Sequence, residues 1–481
     1  MLDAGGRTVR LQEVQVRAVT PRRLESIIGA ERTERFEAAA ASTRDLLAQR
    51  VVLNVNSTAA GGGVAELLQT LLAYARGAGI DARWVVIQGT PRFFAITKRI
   101  HNHLYGSPGD GGPLGSDERD EYEATLRTNA VELSALIRRG DVVLLHDPQT
   151  AGLARALQAA GASVVWRCHV GLDRPNAHSE LAWEFLRPYL EDVDAFVFSR
   201  EQFAPPWIPR NKLSVIAPSI DPFSAKNEPM STAAVLDTLR YVGLLNGGGT
   251  QPAVTFTRRD GSPGRINRHV DILQTGPCPP ADVPLVVQAS RWDTMKDMRG
   301  VMLSFAEHHD HLGSAHLVLA GPNVHGVTDD PEAGRVLDDC IAVWRTLPHA
   351  VRSQIHLACV PMADADEAAA VVNALQRHAA VVVQKSLAEG FGLTVAEAMW
   401  KGRPVVGSAV GGIVDQIVPG ETGWLIEDPN DLTGFAAAVS SLLSDPDEAA
   451  RMGDHGRRRA TELFLGDRHL EQWAQVFTHL G

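Results

Sequence analysis

Two glutamates lie on either side of a glycine-bounded turn in the segment KSLAEGFGLTVAEAMWKG, residues 385–402. An apolar run precedes this segment at 379–384, and unpaired charge is costly in such surroundings. Glu397 could accept two hydrogen bonds from a ribose diol, and Glu389 could accept from the hydroxyls of a sugar. A plainer interpretation also fits the spacing: Glu397 stabilises the first turn of a helix through the helix dipole, and Glu389 is a solvated loop residue.

The turn between the two glutamates has the pattern strand, loop, helix. Gly390 and Gly392 let the backbone come close to a ligand, because neither carries a side chain. The N–H groups at the start of the following helix have no partner within the helix and can bind phosphate oxygens. This context favours a ligand-binding function for the two glutamates.

A second glycine loop, NSTAAGGGVAELL at residues 56–68, follows a predicted strand and precedes a helix that we expect to begin at Val64. It leaves N–H groups exposed at a helix N-terminus through three glycines, Gly61, Gly62 and Gly63. It is not the GxGxxG dinucleotide fingerprint, because Glu66 stands at the third glycine position and the next strand ends in Gln88 instead of an acidic residue. Hydride transfer with NAD is therefore disfavoured.

Two cations follow the predicted strand PLVVQ, in the segment ASRWDTMKD at residues 289–297. Arg291 could bind a diphosphate through its forked guanidinium, and Lys296 could bind it as a point charge. Two cations on an ordinary exposed surface would indicate no function. Their place at a strand end, which the glutamate loop shares, favours phosphate binding.

Three polar residues follow two strands in the first half of the chain, in LLHDPQT at 144–150 and WRCHVGLD at 166–173. His146, Asp147 and His169 are expected to face a cleft from the ends of these strands. A lone histidine at a strand end is more often packed and hydrogen-bonded than catalytic. Convergence of three polar groups from two strands favours a functional site.

Short apolar runs alternate with helical periodicity along the chain, which predicts parallel sheets covered by helices on both faces. Strands are predicted at 51–55, 82–88, 141–146, 163–168, 195–199 and 212–218, and again at 284–290, 315–321, 355–361, 379–384, 403–410 and 423–428. Two such sets predict an α/β protein with two doubly wound, Rossmann-like domains. Ligands of such sheets bind at the carboxyl ends of the strands, here in a cleft between the domains.

The alternation of predicted strands and helices indicates the domain boundaries. We expect an N-terminal domain at 1–217, with residues 1–50 as an extension, and a C-terminal domain at 218–466. Segment 242–283 is rich in Gly, Pro and Arg and is predicted to be an inserted long loop or small subdomain. The amphipathic stretch 467–481 is predicted to be a helix that packs back on the N-terminal domain.

Composition excludes several classes of protein. The 46 basic and 57 acidic residues give a formal charge of −11, which disfavours nucleic-acid binding. The four cysteines are widely spaced without a CxxC pair, as expected for reduced thiols. We find no signal-peptide pattern and no uncharged run long enough to span a bilayer. The composition therefore predicts a soluble cytoplasmic protein with neither a membrane nor a nucleic-acid partner.

Two short clusters look like metal sites but have simpler explanations. HHDH at 308–311 lies in a polar stretch that we expect to be an exposed turn, without further ligands at helical spacing. DAD at 364–366 falls where acidic residues favour the start of a helix. No metal site is predicted at either cluster.

Taken together, these motifs resemble the retaining nucleotide-sugar glycosyltransferases with the two-domain GT-B fold, the group that includes sucrose synthase and glycogen synthase. In that group a glutamate–seven residues–glutamate motif resembles EGFGLTVAE here. The resemblance covers nearly the whole chain and narrows to the trehalose glycosyltransferring synthases through HDPQ (146–149), WRCH (166–169), PSIDP (218–222), EGFGLTVAEAMWKG and VGGI (410–413). It implies two Rossmann-like domains that face each other across a deep cleft. Segment 242–283 departs from the family pattern, and it puts the acceptor preference in doubt if it reaches the cleft.

The resemblance implies a role for each residue at the donor end. Arg291 and Lys296 would bind the donor diphosphate, and Glu397 would hold the ribose. Glu389 would hold hydroxyls of the transferred glucose. The backbone around that glucose would come from Gly390, Phe391, Gly392, Leu393 and Thr394.

The resemblance also implies contributions from the N-terminal domain. The loop Gly61–Gly63 would close over the donor phosphates. His169 would touch the donor glucose near its reacting carbon, and Asp147 would orient the acceptor.

The implied reaction is transfer of glucose from a nucleoside-diphosphate glucose to free glucose, which makes α,α-trehalose with retention by front-face attack. The donor would be UDP-, ADP- or GDP-glucose, with no tightly bound cofactor and no essential metal, and a homodimer is expected for this class. Three alternatives stay open: a retaining trehalose phosphorylase, which uses inorganic phosphate and needs no ribose site; a transferase to another sugar acceptor; and a non-catalytic sensor of nucleotide sugars.

Overall fold

The computed structural model describes residues 11–59, 62–247, 254–324 and 331–480. The chain divides into two compact units, one formed by Met1–Ile220 with Phe464–Gly481 and the other by Asp221–Leu463. Within the described ranges, every helix is too short or too polar to cross a membrane.

The first unit alternates strands and helices as the apolar runs predict. Its elements are β1 (Gln12–Glu13), α1 (Glu25–Ile28), α2 (Ala30–Leu46), β2 (Val52–Asn56), α3 (Gly63–Gly77), β3 (Ala82–Val86), α4 (Pro91–Leu104), α5 (Ser116–Leu136), β4 (Val142–His146), α6 (Ala154–Ala159), β5 (Ser163–Cys168), α7 (Ala177–Leu190), β6 (Ala195–Phe198) and β7 (Leu213–Val215).

These strands form a sheet in the order β1-β3-β2-β4-β5-β6-β7 across the described part of the unit. All pairs are parallel except β1 with β3. Every residue of β2 and β4 is buried, which explains their continuous apolar sequences. The six strands predicted for this half all form, while the two-residue edge strand β1 was not predicted.

The second unit contains α8 (Thr232–Val242), β8 (Thr255–Thr257), β9 (Pro263–Arg265), β10 (Asp271–Leu273), β11 (Leu285–Ala289), α9 (Met298–Glu307), β12 (His316–Pro322), α10 (Pro331–Thr346), α11 (His349–Arg352), β13 (Ile355–Val360), α12 (Ala365–His378), β14 (Val381–Gln384), α13 (Leu393–Trp400), β15 (Val405–Ser408), α14 (Ile413–Gln416), β16 (Gly423–Ile426), α15 (Leu432–Ser444) and α16 (Pro446–Leu463).

The sheet of the second unit has the order β10-β13-β12-β11-β14-β15-β16 in its described residues. Its six predicted strands are parallel, and β10 joins the edge antiparallel to β13. Among the parallel strands β11 comes first in the chain; β12 and β13 are added on one side of it, and β14 then pairs with its other side. This reversal between β11 and β14 is the point at which doubly wound sheets bind ligands.

The inserted segment 242–283 is more ordered than the predicted long loop. Its described part forms the hairpin β8–β9 and the edge strand β10. Ion pairs attach it to the start of α12, joining Arg258 to Asp364 (2.6 Å) and Arg259 to Asp366 (2.7 Å). These two arginines of the insertion therefore have structural partners, which the sequence pattern did not reveal.

The last helix, α17 (Gly466–Leu480), belongs to the first unit and packs against α2. Asp467 is buried and binds Arg32, with 3.0 Å between Arg32 Nη2 and Asp467 Oδ1. His469 contacts Arg167 of β5 at 3.0 Å and Ser219 at 2.9 Å. These buried polar contacts fix the helix on the face of the sheet formed by β2, β4 and β5.

Replacement of Asp467 by alanine should lower the free energy of unfolding by about 1–3 kcal/mol, because it leaves the Arg32 guanidinium without its buried acceptor. Urea denaturation of the purified protein measures this effect. The matched control is Arg22→Ala, which removes the exposed Arg22–Glu37 pair (2.9 Å) and should cost less than about 1 kcal/mol. Equal losses in the two variants would contradict the role assigned to Asp467.

Candidate active site

The switch point of the second sheet brings together two segments that the sequence singled out. Residues 290–297 follow β11, and residues 385–392 follow the adjacent parallel strand β14. The carboxyl ends of parallel neighbours lie at the same edge of a sheet, so the predicted cations and the predicted glutamate loop share that edge.

Lys296 and Glu389 are in direct contact at this edge. The Lys296 ammonium donates to Oε2 of Glu389, and both side chains are largely buried, with 17% and 9% exposed. Ser386 Oγ lies 3.4 Å from the same carboxylate oxygen. The residue predicted to bind phosphate and the residue predicted to bind the sugar are therefore in direct contact.

Arg291 takes a different position. Its side chain is half exposed, and Nη2 lies 3.2 Å from Oδ2 of Asp293. Oδ1 of Asp293 accepts a hydrogen bond from the Met295 N–H (2.8 Å) and so fixes the turn that carries Lys296. The structure thus joins Lys296 to the glutamate loop and leaves Arg291 on the outer part of the same segment, so its phosphate contact stays a prediction.

A second buried ion pair supports the first. Lys385, fully buried at the end of β14, donates to Asp297. Asp297 has a left-handed backbone (φ +45°) and begins α9 by accepting from the Gly300 N–H at 3.0 Å. The Gln288 amide bridges both segments, since it donates to the Lys296 carbonyl (2.7 Å) and accepts from the Lys385 N–H (3.1 Å). The backbone of Lys296 is therefore fixed on both sides.

The glutamate loop is shaped by glycines at close approaches. Gly392 precedes α13 with φ +86°, a conformation that favours glycine. Gly411 faces the loop so closely that a Cβ there would lie 1.6 Å from the Glu389 carbonyl oxygen. Thr394 Oγ1 donates to Gln384 of β14 at 2.7 Å and ties the helix start to the strand end. The predicted strand–loop–helix junction is confirmed, with the helix beginning at Leu393.

Glu397 is buried on α13 and has an ammonium partner, because Lys226 Nζ lies 3.3 Å from its Oε1. On the next helical turn, Lys401 donates to Asn227 Oδ1 (2.9 Å), Gln376 Oε1 (2.8 Å) and the Glu397 carbonyl (3.2 Å). Burial lowers the pKa of Lys401 to about 7, against the opposing effect of Glu397. A carboxylate with an ammonium beside it at this depth is not a solvated helix residue.

The strand ends of the first unit hold an Asp–His pair. Asp147 follows β4 with a left-handed backbone (φ +63°), and its carboxylate accepts the His169 N–H at 2.8 Å. Both of its oxygens lie 3.1 Å from Nδ1 of the His169 ring. Since a carboxylate only accepts, the Nδ1 position carries the proton and Nε2 has a free lone pair.

Electrostatics keep this pair as carboxylate and neutral imidazole at pH 7. Burial by itself raises the pKa of Asp147, but its contacts with His169 lower it to about 2. Burial lowers the pKa of His169, although Asp147 opposes the shift. Nε2 of His169 is buried and has no hydrogen-bond partner among the residues that the structure describes. It is a ready acceptor for a ligand hydroxyl.

His146 lies against this pair. Its ring stacks on His169 with centroids 5.4 Å apart, and its Nε2 lies 3.1 Å from Oδ1 of Asn54 on β2. Burial lowers the pKa of His146 well below its usual value, so two neutral rings stack. The three polar residues predicted to converge do so, and Asn54 is an addition that sequence reasoning missed.

The glycine loop of the first unit is described in part. The helix begins at Gly63, one residue before the predicted start, after Gly62 with φ +84°. Both residues are exposed, and Gly61 lies outside the described residues. The predicted contact of this loop with phosphates stays a prediction.

The acidic cluster at 364–366 has the structural role expected from its position. Asp364 accepts from the N–H groups of Asp366 and Glu367, both at 3.2 Å, and so begins α12. In the described part of the chain, no three His, Cys, Asp or Glu side chains are arranged to hold a metal ion.

Sequence reasoning missed Lys385 and Lys226 because their partners are far away along the chain. One signal could have found them, since the chain has only six lysines. Four of these lie in the contacts just described, namely Lys226, Lys296, Lys385 and Lys401.

Family models match both units. Residues 54–205 match the N-terminal domain of trehalose synthase, and residues 362–459 match the group 1 glycosyl transferases. The first range includes Asp147 and His169, and the second includes Glu389 and Glu397.

Curated proteins and solved structures give a concordant picture. The chain is 33% identical to a trehalose synthase of Pyrococcus horikoshii, over 98% of the chain and 100% of that protein. It is 25% identical to a trehalose phosphorylase of Pleurotus pulmonarius, over 85% of the chain and 54% of that protein.

Two solved structures share the fold. An α,α-trehalose-phosphate synthase (UDP-forming) from Burkholderia vietnamiensis has a TM-score of 0.64 at 15% identity, over 89% of the chain and 98% of that protein. A structure described as trehalose-6-phosphate from E. coli bound with UDP-2-fluoro glucose has a TM-score of 0.63 at 13% identity, over 89% and 98% of the two chains. The chain therefore belongs to the trehalose synthase family, and it is a trehalose-related glycosyltransferase with the GT-B fold of two Rossmann-like domains.

Proposed function

We propose that the protein is a retaining glucosyltransferase that makes α,α-trehalose from a nucleoside-diphosphate glucose and free glucose. The observation that carries the proposal is the contact between Lys296 and Glu389 at the switch point of the second sheet. Glu397 lies on the helix that begins directly after the same loop. Groups suited to diphosphate, hexose and ribose are thus found on Lys296, on the glutamate loop and on the helix that follows it.

Lys296 would stabilise the charge that develops on the departing diphosphate. Its ammonium is already placed and largely desolvated, so little reorganisation accompanies the reaction. Glu389 keeps this charge balanced in the free protein and would accept hydrogen bonds from the hexose hydroxyls. Gln288 and the Lys385–Asp297 pair hold the segment in place.

Retention follows from front-face substitution in this proposal. The bond between the glucose C1 and the phosphate oxygen breaks, and its electron pair stays on the phosphate. The hydroxyl oxygen of the acceptor bonds to C1 from the same face, and its proton passes to the departing phosphate oxygen. No protein nucleophile is needed, and His169 would contribute through its Nε2, as an acceptor for a sugar hydroxyl.

Trehalose phosphorolysis is the second candidate, since a phosphorylase is among the relatives. Phosphate would then replace the nucleotide, and no ribose would need binding. Glu397 favours the nucleotide, because it is a buried carboxylate at the position that would hold the ribose, and a phosphorylase has no ribose to bind.

Incubation of the purified protein with glucose and UDP-, ADP- or GDP-glucose should yield α,α-trehalose and the free nucleotide, identified by proton NMR. The anomeric signal reports the stereochemistry directly. Trehalose with inorganic phosphate serves as the comparison. Phosphorolysis without any transfer from a nucleotide sugar would contradict the proposal and support the second candidate.

Lys296→Ala should lower kcat by about 100-fold to 1,000-fold, because the leaving diphosphate loses a preorganised cation. The control is Arg299→Ala, which removes an exposed cation three residues away and should leave the rate unchanged. Steady-state kinetics with the active donor measure both variants, and thermal melting confirms that each is folded. A wild-type rate in Lys296→Ala would refute the phosphate assignment.

Asp147→Asn should lower kcat/KM at pH 7 by about tenfold to a hundredfold, because the His169 ring loses its orienting carboxylate. Asp147 also raises the pKa of His169, so its removal should move the loss of activity on the acid side to lower pH. A pH profile of kcat/KM tests both effects, with Asp192→Asn on an exposed turn as control. An acid limb that stays in place or moves to higher pH would exclude His169 as the neutral acceptor.

A further inference from the structure

The ammonium that faces Glu397 comes from a part of the chain to which the family motifs assign no function. Lys226 lies in the segment between the two sheets, and its Nζ is 3.3 Å from Oε1 of Glu397. Glu397 has 3% of its side chain exposed, whereas Lys226 has 22%. Lys226 is therefore the more accessible member of the pair.

The backbone on both sides of Lys226 is held rigidly. Asn373 of α12 donates to the carbonyls of Ala225 (3.1 Å) and Glu228 (3.0 Å). Trp400 of α13 donates to the Asn227 carbonyl at 3.0 Å. Helices α12 and α13 thus hold residues 225–228 in place, and α13 is the helix that carries Glu397. A lysine on such a fixed backbone loses less conformational entropy when it binds than a lysine on a free loop.

A second lysine near Glu397 has a separate, structural task. Lys401 uses three acceptors, the side chains of Asn227 and Gln376 and the Glu397 carbonyl, which match the three N–H groups of an ammonium. It thereby fixes Asn227 and the segment next to Lys226. The partly exposed Lys226, by contrast, points its charge at the carboxylate itself.

The chemistry of this pair suits a vicinal diol. A carboxylate accepts from hydroxyl groups at both of its oxygens, and an ammonium donates to hydroxyl oxygens. Each hydroxyl of a diol can donate and accept at once, so a diol can bind to Glu397 and Lys226 together. A phosphate would be attracted by Lys226 but repelled by Glu397, and a 2′,3′-dideoxyribose would offer a hydroxyl to neither.

We propose that Lys226 is a second ribose-binding residue, which donates to a ribose hydroxyl oxygen of the nucleotide donor while it holds the Glu397 carboxylate in place for the diol. The inference rests on the proposed function, because Glu397 meets a ribose only if the ligand is a nucleotide. Lys226 then contributes to the preference for a ribonucleotide over a ligand that lacks the 2′ and 3′ hydroxyls.

The test compares a nucleoside diphosphate with its 2′,3′-dideoxy form by calorimetry, using whichever of UDP, ADP and GDP binds the wild-type protein most tightly. Lys226→Met should weaken binding of the ribonucleotide by about tenfold to a hundredfold, the usual effect of a charge-assisted hydrogen bond. Binding of the dideoxy form should not change. Lys226→Arg should recover part of the loss, because it keeps a charged donor.

Equal losses for both nucleotides, or no loss for either, would overturn the inference. If Lys226→Met does not fold, Lys226→Gln gives the same comparison with a neutral donor. Turnover adds a second readout, since KM for the donor should rise while kcat changes little.

These outcomes separate the inference from the proposed function. The expected binding pattern without trehalose synthesis would support Lys226 and refute the transferase. Trehalose synthesis with equal losses for the two nucleotides would refute Lys226 alone. Failure of all three diphosphates to bind would overturn both.

Discussion

The candidate site depends on one ion pair, between Lys296 and Glu389, at the edge where the second sheet reverses its order. Two opposite charges that are mostly buried destabilise a fold unless they are paired and supported by hydrogen bonds. The support here comes from Gln288 and from the second buried ion pair, between Lys385 and Asp297. A site of this kind holds its cation in place before the ligand arrives, which is what stabilisation of a leaving phosphate requires.

In the first unit the group held in place before a ligand arrives is neutral, namely the imidazole of His169. The carboxylate of Asp147 accepts hydrogen bonds from the backbone N–H and from Nδ1 of His169. The proton of the imidazole therefore lies on Nδ1, and Nε2 is the unprotonated nitrogen. Stacking on His146 fixes the plane of that ring. The left-handed backbone at Asp147 is the local cost of this arrangement, and the buried contacts around it offset that cost.

Much of this architecture could be predicted from the sequence, because apolar strands and glycine junctions are local signals. The twelve core strands and the loop that carries Glu389 were predicted within a few residues. The edge strands β1 and β10 were not, since two or three residues with exposed faces carry no periodicity. The partners of the site residues were also missed. Lys226 meets Glu397, and Asn54 meets His146, only through the tertiary fold.

The central claim is that the Lys296–Glu389 pair receives a nucleotide sugar, and a crystal structure of the protein with a bound nucleoside-diphosphate glucose tests it most directly. The account predicts the diphosphate within hydrogen-bond distance of Lys296 Nζ, the hexose hydroxyls on Glu389 and the ribose on Glu397. A nucleotide sugar bound elsewhere on the chain, with the Lys296–Glu389 contact intact and unliganded, would contradict it.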